Sequence, residues 1–172
     1  MANAVLAWKT DGLTALDIEA WNLFASIQKK TLSGYNMFLR GWINGAKGGV
    51  TWHPMWNCDI KDPTHMSCDV YINYYTNNEH RLRSGTSKRV MLEPTSPTRV
   101  DGKYKYAISG LEQNTKYYFQ IQPWYPGLSE RTGIYSFKTL PYTIFKFNLG
   151  ILDYQKEQEY IVLRLYHILL HR

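Results

Sequence analysis

The stretch Ser109-Gly110-Leu111-Glu112-Gln113-Asn114-Thr115-Lys116-Tyr117-Tyr118-Phe119 decides the fold. Gly-Leu followed by polar residues is a turn. From Lys116 to Gln122 the chain then alternates, with Tyr117, Phe119 and Ile121 on one face and Tyr118, Gln120 and Gln122 on the other. Period-2 alternation predicts a strand with one face in a core. Working outward, residues 103–109 place Tyr104, Tyr106 and Ile108 on one face, and residues 68–76 do the same with Val70, Ile72 and Tyr74. Further strands are predicted at 50–56, at 88–92 around Val90, and at 133–139, which stops at Pro141. Residues 93–102 hold Pro94, Pro97 and Gly102 and read as loop. Short alternating strands separated by turns predict an antiparallel sandwich over residues 48–140.

The flanks change period. Residues 1–47 are predicted to be a helical module. Leu16, Ala20, Leu23, Phe24 and Ile27 share one helical face, and Thr14 with Asp17 forms an acidic variant of the capping box. A second helix follows Ser33, with Tyr35, Phe38, Leu39 and Trp42 as its stripe and Gly45, Gly48 and Gly49 at its end. With Trp8 and Trp21 packed between them, two such helices form a hairpin that buries too little to stand alone. The hairpin is therefore expected to lean on the sandwich or on another chain. Residues 141–172 form an extension, with a strand at 143–147 and a helix at 154–172 carrying Tyr160, Leu163, Tyr166, His167 and Leu170. The predicted protein is mainly β, with an N-terminal helical hairpin and a C-terminal strand/helix extension.

Composition narrows the function. Of 172 residues, 44% are hydrophobic, enough for a core, and 15% are aromatic, with 14 Tyr and 6 Trp. Tyr and Trp suit both pleated surfaces and contact surfaces. The net charge of +6 is scattered, apart from Arg81, Arg83, Lys88 and Arg89, which read as a solvated loop and point away from a nucleic-acid face. No secretory signal is read at the N-terminus. No window reaches the ~18 apolar residues of a membrane span. Synthesis in a cytoplasm is expected, with release inside a particle as the route out.

Residues 109–119 resemble the E–F corner of fibronectin type III domains, whose pattern is G-L-x-P-x-T-x-Y. Leu111, Thr115 and Tyr117 match, and Gln113 stands where proline is usual. The resemblance implies that Leu111 fills the core and that the Tyr117 hydroxyl bonds back to the corner's backbone. Residues 133–141 resemble that family's last strand, and Val50-Thr51-Trp52 its second strand with a core Trp. On that register the first strand is missing, or is supplied by residues 143–147 or by another chain. Residues 14–24, with Glu19-Ala20-Trp21-Asn22, and then Leu32-Ser33-Gly34-Tyr35-Asn36-Met37-Phe38-Leu39-Arg40 resemble a second module. It precedes fibronectin-like domains in uncharacterised proteins of tailed phages and related prokaryotic viruses. This implies a virion or virus-encoded structural protein.

Candidate chemistry is sparse. His53, Cys58, His65 and Cys68 offer two imidazoles and two thiolates, the donor set of a tetrahedral zinc site. Their spacing matches no standard finger, and His53 falls in a predicted strand. A Cys58–Cys68 disulfide or two buried thiols are the alternatives, and no metal or other cofactor is expected. No nucleophile elbow, P-loop or dinucleotide fingerprint is present. Asp59 and Asp62 lack the apolar surroundings that raise a carboxyl pKa. An enzyme is not expected.

Trp124, Tyr125, Pro126 and Gly127 sit in the loop between the last two strands, where Tyr and Trp either stack on sugars and anchor protein contacts or cap the core. Phe24, Phe38, Leu163 and Tyr166 are the candidate assembly faces. The expected function is a structural or accessory virion protein that contacts itself or other virion proteins. The alternative is a cell-surface or glycan recognition module using the Trp124–Tyr125 loop.

Overall fold

The computed structural model describes residues 2–28, 31–49, 55–74, 80–124 and 131–142. The chain divides into two units, residues 1–142 and 143–172, and every described residue belongs to the first. The predicted strand at 143–147 and helix at 154–172, with Leu163 and Tyr166, lie outside the described residues, as do residues 50–53 and Tyr125.

The described residues form two four-stranded antiparallel sheets. One runs in the order β1 (Trp56–Lys61), β2 (Cys68–Asn73), β6 (Lys103–Ile108), β5 (Thr98–Val100). The other runs β4 (Glu93–Thr95), β3 (His80–Gly85), β7 (Lys116–Pro123), β8 (Tyr135–Lys138). Inward-facing residues meet between them: Val70, Ile72 and Tyr106 from the first, Leu82, Phe119, Ile121 and Phe137 from the second. Burying each such side chain contributes roughly 1.5–3 kcal/mol, so the alternation in β2, β6 and β7 drives sheet closure.

Several predicted elements move. The sandwich has its first strand. It is β1, which falls where the sequence reads as loop, and β2 takes the place of second strand that residues 50–52 were predicted to fill. Asn57 sits at φ 57° and the pairing of β1 with β2 shifts between Trp56 and Asp59. This bulge breaks the alternation that would have marked a strand. β3 lies in the basic stretch read as a solvated loop. His80, Leu82 and Ser84 are buried there while Arg81 and Arg83 face outward. Residues 93–102 are not all loop. β4 and β5 are short edge strands, and Asp101-Gly102, at φ 49° and 72°, turns β5 into β6 as a two-residue hairpin. Residues 88–92 form no strand. A bridge between Ser87 and Val90 closes a tight turn there.

Three helices precede the sandwich rather than two: α1 (Ala2–Thr10), α2 (Ala15–Ser26) and α3 (Gly34–Lys47). α1 brings Trp8 edge-on to Tyr35 and Phe38, with ring centroids 5.6 and 5.2 Å apart. Trp21 meets Phe38 from the other side at 5.5 Å. Phe38 is thus interior to its own chain and not an assembly face, because the unread helix α1 covers the stripe. Phe24 is only half-buried. α2 and α3 approach closely at Gly34, whose N–H donates to Asn22 Oδ1 at 3.0 Å. A Cβ there would lie 2.6 Å from the Asn22 backbone nitrogen.

α2 also closes one side of the sandwich. It packs against both β1 and β8, the edge strands of the two sheets on that side. Leu16 and Ala20 reach into the sandwich core, and Ile134 N–H donates to Ala20 O at 2.9 Å. The edge predicted to invite an added strand is therefore covered by a helix. On the opposite side, β4 and β5 are exposed, only three residues long each, and β4 carries Pro94, all of which blunt strand addition.

Candidate functional site

The corner between β6 and β7 organises one end of the sandwich. Gly110 at φ 70° and Asn114 at φ 52° turn the chain. Tyr117 is buried and its Oη accepts the Glu112 N–H at 2.8 Å. Thr139 Oγ1 donates to Glu112 O at 2.6 Å and accepts the Thr115 N–H at 2.9 Å. Thr115 Oγ1 donates to Gln113 O at 2.8 Å, and Gln113 Oε1 accepts the Tyr142 N–H at 2.9 Å. Gln113 thus holds by hydrogen bonding a turn that proline would hold by its ring. Leu111 is buried in the core. A tyrosine corner on sheets of this strand order is the fibronectin type III arrangement. The sandwich is fibronectin type III-like.

Beside this corner lie three exposed apolar residues. Met66 is 54% exposed, Leu140 55% and Tyr142 63%. Leu140 N–H donates to Thr64 O at 3.0 Å, which sets residues 140–142 beside the 62–67 turn, and Leu111 N–H donates to Met66 O at 3.0 Å. Tyr142 also meets His65 edge-on at 5.4 Å. Exposed apolar side chains gathered at one end of a sandwich are what a contact site presents. Sequence pattern does not reveal this group, because Met66 lies more than 70 residues before Leu140 and Tyr142 and each reads singly as an ordinary surface apolar residue.

Of the four candidate zinc donors, three are described, and they are not gathered into one site. Cys58 and Cys68 are free thiols inside the core, whereas His65 sits in the 62–67 turn against Tyr142. His53 lies outside the described residues. Burial pushes the Cys58 thiol well above its ordinary value, helped by the charges of Asp17 and Asp59. Burial, with Asp69 and Asp62, pushes Cys68 up to about 12. Both are therefore protonated near neutrality, which makes them weak nucleophiles. Among the described residues no group of three or more His, Cys, Asp or Glu side chains gathers. Asp59 is engaged with Lys61 at 3.4 Å.

Trp124 is 40% exposed rather than capping the core. The Arg81 guanidinium lies 4.9 Å from its ring centroid, a cation–π contact that steadies the indole. Lys88, of the same basic stretch, donates from Nζ to Ser26 Oγ on α2 at 3.1 Å. The basic residues thus separate, two along β3 and two in the following turn.

One buried group was read too narrowly from sequence. Asp17 is fully buried. Its Oδ2 accepts from Thr14 N–H, Thr14 Oγ1 and Asn57 N–H, each at 2.8 Å. Its Oδ1 accepts from Cys58 N–H at 3.2 Å and from the Tyr135 hydroxyl at 2.6 Å. One carboxylate thus caps α2, satisfies the β1 bulge and ties down β8. It makes helices and sandwich a single scaffold for the surfaces above.

No family model and no curated protein matches the sequence. Solved structures similar to the chain include the sensor domain of the anti-sigma factor RsgI4 of Pseudobacteroides cellulosolvens, at 14% identity over 53% of this chain and 92% of that one, TM-score 0.40. The FN5 domain of Drosophila Lar is similar at 16% identity over 51% and 95%, TM-score 0.39. The central fibronectin-III array of RIM-binding protein is similar at 18% identity over 52% and 32%, TM-score 0.39. At these scores the fold assignment rests on the strand order and the corner. Among the described residues, no helix is long and apolar enough to cross a membrane.

Proposed function

We propose that this protein is a non-enzymatic interaction module that serves as a structural or accessory protein of a virus particle, contacting itself or other virion proteins. The observation that supports the interaction role is the exposure of Met66, Leu140 and Tyr142 at the corner end of the sandwich. Such a patch loses free energy in water and gains it on burial against a partner. The virion setting comes from the likeness of residues 14–40 to the helical module of phage proteins. Sedimentation of the full chain, together with mass spectrometry of particles from producing cells, tests both halves. Met66→Ser with Leu140→Ser should weaken self-association or incorporation without lowering the melting temperature. A wild-type monomer at micromolar concentration that is absent from particles would sink the proposal.

A second use of the fold, recognition of a cell-surface glycan, is favoured by one observation: the half-exposed Trp124 indole, steadied by Arg81. Stacking of a sugar on that ring should be lost in Trp124→Ala on a glycan array. An unchanged array pattern would remove this reading.

A further inference from the structure

The five methionines are not equally open to solvent. Met37 is 6% exposed in the core of the helices, and Met55 is 4% exposed in the core of the sandwich. Met91 is half-buried, and Met1 lies outside the described residues. Met66, in the 62–67 turn, is 54% exposed. A thioether sulfur is soft and polarisable and takes an oxygen atom from a peroxide that can reach it.

The thiols do not divert such an oxidant. Cys58 and Cys68 are buried in the core, and burial raises both above their ordinary value. Oxidation of cysteine needs an accessible thiolate, which neither supplies near neutrality.

The backbone under Met66 is tied on both sides. Its N–H donates to Thr64 Oγ1 at 3.1 Å, and its carbonyl accepts the Leu111 N–H at 3.0 Å. Thr64 Oγ1 also accepts the Ser67 N–H at 2.8 Å, and the Thr64 N–H donates to Ser67 O at 2.8 Å. None of these bonds uses the Met66 side chain. A change at its sulfur therefore alters the surface and leaves the turn in place. A polar group added at Met37 or Met55 would instead sit inside a core and destabilise the fold.

We propose that Met66 is an oxidation site, at which a hydroperoxide converts the exposed thioether to a sulfoxide and so switches off the contact made at the corner end. The second half rests on the interaction role proposed above for Met66, Leu140 and Tyr142. With hydrogen peroxide, a sulfur lone pair attacks one peroxide oxygen, the O–O bond breaks and the S–O bond forms. The leaving hydroxide takes the proton of the transferred oxygen and departs as water. Sulfur is oxidised by two electrons and the peroxide is reduced by two. The sulfoxide oxygen is a strong acceptor, so burying it against an apolar partner surface is costly where no donor meets it. A contact already made shields the sulfur, so the oxidation acts on the unassembled chain.

The test treats the full chain with hydrogen peroxide and follows it by peptide mass spectrometry, thermal melting and sedimentation. Met66 should gain oxygen first, Met91 after it, and Met37 and Met55 last. With Met66 alone oxidised, the melting temperature should be unchanged and self-association should weaken about 5-fold or more. Reduction by methionine sulfoxide reductases should restore it. Met66→Leu should associate equally before and after the same peroxide treatment. Oxidation of Met37 or Met55 ahead of Met66, a lowered melting temperature with Met66 alone oxidised, or association unmoved by that oxidation would each overturn the proposal. A chain that is monomeric before any peroxide is added fails the interaction role and takes the switch with it, while the order of oxidation still decides whether Met66 is the reactive site.

Discussion

Replacing Asp17 by alanine removes the acceptor for five donors at once. Two of them, the Thr14 N–H and Oγ1, sit at a helix start that water can reach, so their loss resembles the loss of an N-cap, about 1 kcal/mol. The other three are the Asn57 and Cys58 amides and the Tyr135 hydroxyl. Tyr135 is 2% exposed and Cys58 5%, so these groups have little access to solvent in exchange. Each buried donor left unsatisfied costs about 1–3 kcal/mol. The costs overlap, because water entering the vacated space serves more than one donor. The expected net loss is about 3–5 kcal/mol, as for removal of one partner from a buried charge network. Against a total stability of roughly 5–15 kcal/mol this is a large fraction.

Urea unfolding followed by tryptophan fluorescence measures the loss. Tyr135→Phe should cost less, about 1–2 kcal/mol, because it removes one donor and leaves the carboxylate its others. The double variant should show coupling of at least ~0.5 kcal/mol between the two sites. Amide exchange should accelerate in α2 and β1 before it does in β2 and β7. A loss below about 1 kcal/mol for Asp17→Ala, or no coupling with Tyr135, would refute the view that this carboxylate joins the helices to both sheet edges.

Three further outcomes are expected. Tyr117→Phe should lower stability by about 1 kcal/mol through loss of the bond to the Glu112 N–H, and an unchanged urea midpoint would count against the corner. Gly133→Ala places a Cβ 2.3 Å from the Ala20 carbonyl carbon and 2.4 Å from the Trp21 nitrogen, so α2 must move. A cost of about 2–3 kcal/mol is expected, as for overpacking against a backbone, and a neutral effect would show that α2 does not sit on this segment. Stability should also fall with alkali. The Cys68 thiol has its ordinary value of 9.0 when unfolded and about 12 when folded, so the unfolded chain releases this proton first. Its contribution is complete below pH 9 and is lost as the pH rises towards 12, at up to about 1.4 kcal/mol per pH unit. Cys68→Ala should flatten urea midpoints measured between pH 9 and 11, and an unchanged slope would show that the thiol is not protected.

Wherever the signal is local, residues alone determine the structure of this protein. The alternation in 68–73, 103–108 and 116–122 specifies strands and their inward faces, because a pleated chain presents every second side chain to the same side. Leu111, Thr115 and Tyr117 specify the corner because Tyr117 bonds to Glu112 and Thr115 to Gln113 within a few residues, with Thr139 joining just past the end of the final strand. Thr14 and Asp17 specify the start of α2 for the same reason. Tertiary contacts decide the rest. Asn57 bends β1 at a bulge, so a strand hides in a stretch rich in Asn and Asp, and only pairing with β2 reveals it. Arg81 and Arg83 mark a loop until Leu82 between them finds Ile121 across the sheet. Phe38 reads as an outward face until Trp8 covers it. The 62–67 turn and residues 140–142 meet only when segments distant along the chain are brought side by side. Asp17 carries both kinds of information. Its bonds to Thr14 span three residues and are visible as a motif, whereas those to Asn57, Cys58 and Tyr135 span 40, 41 and 118. No local pattern encodes contacts at such separations, because they form only after the two sheets have closed and the helix has docked across their edges.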